Sequence, residues 1–167
     1  NGNAPTAAAA AASAPLFLTA AEVVARGAWR SEVEAWRELA PQWGIALPES
    51  AGEPCAVAQR AQWHCYRSAS GGLPLVRQLD RPGFITLRDG SGRPAYALLL
   101  ALGPRAVTLR IGRETLDVTL LSLTELWAGD FATYWRTPEG YSGILKLGAR
   151  GPAVDGLAAQ LASVRGD

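Results

Sequence analysis

The stretch FITLRDGSGRPAYALLLAL, residues 84–102, decides the fold that the sequence predicts. Before it the apolar residues recur at helical spacing, whereas from Gly83 onward they alternate with a period of two, which is typical of β-strands. The middle of the stretch, residues 89–93, contains two glycines that can adopt the positive φ of a tight reversal. The stretch therefore predicts a β-hairpin with strands at residues 84–87 and 95–102.

Further elements extend from this hairpin in both directions. Thr19 with Glu22 and Ser122 with Glu125 have the spacing of capping boxes, in which two side chains satisfy the free N–H groups at a helix start. Helices are predicted from Ala20 and over residues 29–43, 55–63 and 73–79, and further strands over 107–111, 116–120 and 131–135. This order predicts an α+β domain, with N-terminal helices packed on an antiparallel sheet of about five strands.

The helix at residues 29–43 carries three of the six tryptophans. Trp29, Val33, Trp36, Ala40 and Trp43 recur at helical spacing and predict one apolar face. A platform for a sugar or aromatic ligand is the alternative use of such residues. Large aromatic side chains at this spacing favour core packing instead.

The charge pattern excludes one class of function. Sixteen basic and fifteen acidic residues give a net charge of +1, and the arginines are scattered along the chain. A nucleic-acid-binding protein needs a concentrated basic face, so no nucleic-acid partner is predicted. Arg77, Arg81, Arg88 and Arg93 lie close in sequence and are interpreted as a solvated rim, with an acidic partner as the alternative.

Composition divides the chain into three parts. Residues 1–18 are rich in alanine, with Gly, Pro, Ser and Thr, and are predicted to form a linker. Residues 19–140 are predicted to form the α+β domain. Residues 141–167 contain glycines followed by apolar residues at helical spacing, which predicts the opening helix of a second module that the chain does not complete.

The chemistry available to the chain depends on two cysteines and one histidine. Cys55 and Cys65 are predicted to form a disulfide, which requires an oxidising compartment. The alternative is a cysteine hydrolase that pairs Cys55 or Cys65 with His64, although the adjacent His64 and Cys65 cannot meet as base and nucleophile. Two cysteines and one histidine leave a tetrahedral zinc site a ligand short, so neither a metal nor a cofactor is predicted.

Several separated motifs resemble the periplasmic region of the general secretion pathway protein A (ExeA-like) family of type II secretion. The most specific are LWAGDF at residues 126–131 and WRTP at residues 135–138. The others lie at residues 43–44, 55–56, 65, 79–82 and 84–87. The end of the chain is similar to the first helix of the peptidoglycan-binding module that follows this domain in the family. The residues that match it are Leu147, Gly148, Gly151, Val154, Leu157 and Leu161.

The family's periplasmic domain resembles the bacteriocin-processing cysteine peptidases, which implies a papain-like, peptidase-C39-like fold. Placing residues 31–44 on the peptidase helix that starts with the nucleophilic cysteine puts Ser31 at the cysteine position. Ala95 then falls where those enzymes carry their histidine, and Ile111 near the position of their orienting acid. A hydroxyl with no base to accept its proton is a weak nucleophile, so the resemblance implies a domain without catalytic residues.

The resemblance also implies a function for the complete protein. Members of the family are tethered to the inner membrane and work in the periplasm. They associate with peptidoglycan and with general secretion pathway protein B to help the secretin assemble. We therefore expect this chain to be a non-catalytic periplasmic module with these partners, and association with a second copy is a further expectation. The alternative is an active papain-like cysteine hydrolase that acts on peptide or cell-wall substrates.

Overall fold

A computed structural model of the chain describes residues 17–136 together with 150, 151, 154, 155, 158 and 159. The helices are α1 (Ala20–Ala25), α2 (Glu32–Leu39), α3 (Pro54–Arg60), α4 (Gly72–Leu79) and α5 (Leu120–Leu126), and the 3-10 turn Ala40–Trp43 continues α2. The strands are β1 (Trp63–Ser68), β2 (Gly83–Arg88), β3 (Pro94–Leu102), β4 (Ala106–Ile111), β5 (Glu114–Thr119) and β6 (Phe131–Arg136). The predicted α+β class is confirmed.

The described strands form a single sheet in the order β1-β6-β2-β3-β4-β5, and the neighbouring strands are antiparallel. The predicted hairpin is β2 and β3, with Phe84 opposite Leu98. Its turn is held by Asp89, whose carboxylate accepts the N–H groups of Ser91 and Arg93. The prediction of about five strands missed β1, which pairs with β6 at the edge of the sheet. Its sequence WHCYRS shows no alternation of apolar and polar residues that would have marked a strand.

Two hydrophobic cores lie on opposite faces of this sheet, as the alternation of side chains along a strand requires. The first core packs α1, α4 and α5 against one face, and the second core packs α2 and α3 against the other. Buried first-core residues include Ala20, Val23, Val76, Ile85, Ala95, Leu109, Ile111 and Leu123. Buried second-core residues include Ala35, Trp36, Leu39, Ala58, Phe84, Leu98, Ala132 and Tyr134.

Side-chain hydrogen bonds cap the starts of α1 and α5. The Thr19 hydroxyl accepts the Glu22 N–H and the Glu22 carboxylate accepts the Thr19 N–H, so the predicted capping box is confirmed. The second predicted box is wrong, because Thr119 caps α5 by accepting the Ser122 N–H. The Ser122 hydroxyl instead accepts the Ala20 N–H at 2.8 Å and joins α5 to α1.

The helix predicted from Trp29 begins later than expected. Trp29 exchanges two backbone hydrogen bonds with Tyr96, at 3.1 and 2.7 Å, so it extends along β3 before the chain turns into α2. The buried face of α2 consists of Ala35, Trp36 and Leu39, whereas Val33 is 43% exposed, so its placement on the apolar face is wrong. The helix is therefore anchored to the sheet immediately before it starts.

Most of the two predicted flanking segments lies outside the described residues. At the N-terminal side, the Leu18 N–H donates to the Asp117 carbonyl and Leu18 packs against the first core, so the folded domain already includes the last residue of the predicted linker. At the C-terminal side, the N–H groups of Val154 and Asp155 donate to the Gly151 carbonyl. Residues 154–155 and 158–159 are helical. The module residues Leu147, Gly148, Leu157 and Leu161 are not described.

Candidate functional site

The start of α2 is the place where the resemblance puts a nucleophile. Ser31 is the N-cap residue of α2, and its side chain makes no capping hydrogen bond. The backbone pairing of Trp29 with Tyr96 brings this helix start against β3. Ser31 therefore lies close to β3, the strand in which the resemblance places the base.

The other two placements do not face Ser31. Ala95 and Ile111 are buried in the first core, on the face of the sheet opposite to α2. The neighbouring residues Tyr96 and Arg110 lie on the α2 side, where Tyr96 packs against the second core and Arg110 pairs with Glu38 at 2.8 Å. A shift of one residue moves every side chain of a strand to the other face. The assignment of Ser31, Ala95 and Ile111 to catalytic positions stays a prediction.

Neither cysteine is available as a nucleophile. Cys55 in α3 and Cys65 in β1 form a disulfide with a Cα–Cα distance of 5.6 Å, so the predicted bridge is confirmed and no cysteine is free. His64 packs its ring against Trp135, with centroids 5.5 Å apart. Because adjacent residues of a strand face opposite sides, His64 points away from the disulfide. With this bond formed, neither cysteine supplies the thiol that the hydrolase alternative requires.

A small cleft of about 240 Å³ opens beside the start of α2. Its walls come from α2, β1, β2, β3 and β6. The charged and phenolic side chains of the lining are Glu32, Arg67, Arg88, Tyr96 and Asp130. The apolar part of the lining includes Phe84, Phe131 and Ala132. The cleft lies on the α2 side of the sheet, beside the second core.

One side of the cleft is an ion pair stacked on an aromatic ring. The guanidinium of Arg67 pairs with the carboxylate of Glu32 and lies over the ring of Trp36, 5.4 Å from its centroid. The indole N–H of Trp36 also donates to Glu32 at 3.3 Å. Trp36 is 1% exposed and contacts Phe84 and Tyr134, so the second core holds this side of the cleft in place.

Burial perturbs the titrating groups of the cleft. Desolvation raises the pKa of Tyr96, and the negative charges of Glu32 and Asp130 raise it further. Desolvation also raises the pKa of Asp130, although its carboxylate accepts the Thr86 N–H at 3.1 Å. Perturbed groups that converge in a cleft mark candidate functional sites.

Sequence reasoning missed this cleft because its residues come from five separate elements. Arg88 was interpreted as part of a solvated rim, whereas Asp130 belonged to the LWAGDF motif and Tyr96 to the predicted hairpin, neither with a role in a site. A usable signal was present in β2, where the period of two places Phe84, Thr86 and Arg88 on one face. Among the described residues, no group of three potential metal ligands occurs and no helix has the length and apolar character needed to cross a bilayer.

Comparison with known proteins reveals a relative among secretion proteins. Over 106 residues, 64% of this chain, the sequence is 32% identical to "General secretion pathway protein A" of Aeromonas hydrophila. This chain is similar in sequence to one part of general secretion pathway protein A. The match spans 19% of that protein's length, so it concerns one part of a larger molecule. No model of a known protein family matches the chain.

A solved structure extends the similarity to most of the chain. A periplasmic domain of the EpsAB fusion protein of the Vibrio vulnificus type II secretion system is 25% identical, with a TM-score of 0.61. That match covers 86% of this chain and 62% of the other. The N-terminal peptidase-C39-like domain of the toxin secretion ATP-binding protein from Vibrio parahaemolyticus is more distant, at 17% identity and a TM-score of 0.46 over 62% of this chain and 94% of the other.

Proposed function

We propose that this chain is a non-catalytic periplasmic module of a type II secretion assembly protein. The observation that carries the proposal is that a secretion pathway protein matches in sequence while a periplasmic domain of a type II secretion protein matches in both sequence and fold. A periplasmic location also agrees with the Cys55–Cys65 disulfide, because disulfides persist in oxidising compartments. The complete protein is tethered to the inner membrane in this proposal.

The absence of catalysis rests on the surroundings of Ser31. The chain has one histidine, which lies on β1 against Trp135, and the α2 side of β3 presents Tyr96 instead of an imidazole. Serine needs an adjacent base to become a nucleophile. We expect no hydrolysis of casein or of muropeptides, and no difference between the chain and its Ser31→Ala variant. Hydrolysis that Ser31→Ala abolishes would contradict this part of the proposal.

The proposed partners are peptidoglycan, general secretion pathway protein B and the secretin whose assembly they support. We propose that residues 141–167 begin the peptidoglycan-binding part and that residues 19–140 contact the protein partners or a second copy. The helical turn at Val154 agrees with this division. A single amphipathic helix cannot bury its apolar face without other elements to pack against. Binding of peptidoglycan should therefore require the rest of the module.

Co-sedimentation with purified insoluble peptidoglycan tests this division. We expect a chain extended beyond Asp167 by the natural sequence to co-sediment, and Leu157→Asp to abolish that binding. The matched control is Leu121→Asp in the same extended protein, because Leu121 is 80% exposed on α5 and its replacement disturbs no core. If Leu157→Asp binds like the control, the proposed module does not bind peptidoglycan.

A further inference from the structure

The cleft beside α2 is lined by Tyr96 and by four charged residues. Glu32, Arg67, Arg88 and Asp130 all act electrostatically on Tyr96, so they converge on one small volume. Two of them are already matched, since Arg67 pairs with Glu32. The other two are the groups available to a ligand.

Neither Arg88 nor Asp130 forms an ion pair with another residue of the 17–136 range, although the charge of Arg88 acts on the Asp130 carboxylate across the cleft. The guanidinium of Arg88 donates to the Gly92 carbonyl at 3.4 Å, a long contact that leaves most of its five N–H donors unused. The Asp130 carboxylate accepts the Thr86 N–H and makes no ion pair. Tyr96 has an aromatic contact with Phe84, but its hydroxyl has no hydrogen-bond partner in this part of the chain. A cation, an anion and a hydroxyl thus face the cleft with capacity to bind.

The sheet holds these groups at fixed positions. Arg88 ends β2 and Asp130 precedes β6, and these strands are paired through Phe84 and Ala132. The hydrogen bond from the Thr86 N–H to Asp130, at 3.1 Å, adds a second connection between the two strands. A site built on paired strands loses little entropy when it binds a ligand, because its groups are already in position.

Charge and size together define the ligand. A guanidinium fork matches the two oxygens of a carboxylate, whereas a carboxylate such as Asp130 accepts from an N–H or ammonium group. Sites for drug-sized ligands have volumes of about 300–1,000 Å³, and the cleft, at about 240 Å³, is smaller. A cleft of this size accepts the end of a chain rather than an internal segment with large side chains. A peptide carboxyl terminus supplies both a carboxylate and nearby N–H donors.

We propose that this cleft binds the free carboxyl terminus of a peptide, with Arg88 holding the terminal carboxylate and Asp130 accepting from an N–H or ammonium group of the residue before it. Tyr96 donates its hydroxyl to the same terminus, and the apolar floor at Phe84 and Ala132 contacts the last side chain. The site binds and releases the peptide without forming or breaking a covalent bond. The residues assigned to this site lie within the 19–140 part of the chain.

Titration with a defined peptide tests this inference. The probe is N-acetyl-Ala-Ala-Lys-Ala with a free carboxyl terminus, added to the whole chain and followed by NMR shifts of the cleft amides. The comparison peptide is the same sequence with a carboxamide terminus. We expect the free acid to bind with a Kd of about 1 mM or lower and the amide to bind at least about tenfold more weakly, since a charge-assisted pair is lost.

Substitutions test whether Arg88 and Asp130 bind the peptide. Arg88→Gln and Asp130→Asn should each weaken binding of the free acid by about tenfold. Arg113→Gln is the matched control, because Arg113 is an exposed arginine in the turn between β4 and β5 and contacts no residue of the cleft. Each variant must keep the urea midpoint of the parent, which shows that the fold is intact. Equal binding of acid and amide, an effect of Arg113→Gln as large as that of Arg88→Gln, or no shift at about 10 mM peptide would overturn the proposal.

Discussion

Removal of the disulfide is expected to destabilise the domain by an amount that follows from its loop. Cys55 and Cys65 are 10 residues apart in sequence. Closing a loop of this length lowers the entropy of the unfolded chain by about 9 cal/mol/K, which corresponds to about 2.7 kcal/mol at 25 °C. We therefore expect the double variant Cys55→Ala, Cys65→Ala to lose about 2–3 kcal/mol of unfolding free energy.

The position of the bridge makes the domain sensitive to this loss. β1 is an edge strand that pairs on one side with β6, and the disulfide ties it to α3. Cys55 and Cys65 pack at the margin of the second core without being fully buried. The loss should therefore come mainly from the freed unfolded chain, with a small contribution from a cavity.

Urea unfolding followed by tryptophan fluorescence measures this effect. The oxidised parent, the parent in dithiothreitol and the double variant are compared at one temperature, and the last two should unfold at similar, lower urea concentrations. Dithiothreitol should leave the double variant unchanged, which controls for other effects of the reductant. The variant's m-value should rise slightly, because its unfolded state exposes more surface.

Two results would refute this reasoning. If the double variant unfolds at the same urea concentration as the oxidised parent, the loop does not constrain the unfolded chain as assumed. If thiol titration of the native, unreduced protein finds two reactive thiols, the bridge is not formed in solution. The second result would also restore the cysteine hydrolase hypothesis, since it would return a free thiol to the chain.

Three further predictions follow from buried groups. Trp36→Ala should lower the free energy of unfolding by about 3–5 kcal/mol, because a fully buried tryptophan leaves a large cavity. Its control, Val33→Ala, replaces an exposed side chain and should change that free energy by less than about 0.5 kcal/mol. Equal urea midpoints for the two variants would contradict the observed face of α2. Tyr134→Phe removes a buried hydrogen bond of 2.9 Å to the Trp36 carbonyl and should cost about 0.5–1.5 kcal/mol in the same assay, with an unchanged m-value. Burial raises the pKa of Asp130, so the native state holds that proton more tightly than the unfolded state, and this stabilisation is present at low pH and lost as pH rises through the raised pKa. Asp130→Asn should therefore become more stable relative to the parent between acidic and neutral pH, and a constant difference would show that Asp130 has an ordinary pKa.

Local chemistry explains which parts of the fold were predictable. The α1 capping box joins residues three positions apart, and the β2–β3 hairpin pairs residues no further apart than Gly83 and Leu99, so short stretches of sequence contain the interactions that form them. The Ser122 prediction failed although its spacing was suitable, because Thr119 lies at the observed start of α5 and Ser122 bonds to Ala20 instead. The hydrogen bond between Ser122 and Ala20 joins residues 102 positions apart, and no local pattern predicts it.

The sequence by itself determined the α+β class and the pairing of the two cysteines, because periodicity and turn chemistry are local and two cysteines have one way to pair within a chain. It also carried the similarity to general secretion pathway protein A. The tertiary structure alone decided which face of β3 meets α2, and therefore that Tyr96 and not Ala95 faces the cleft. The backbone pairing of Trp29 with Tyr96 sets that register, and a register between distant segments depends on packing that no local pattern encodes.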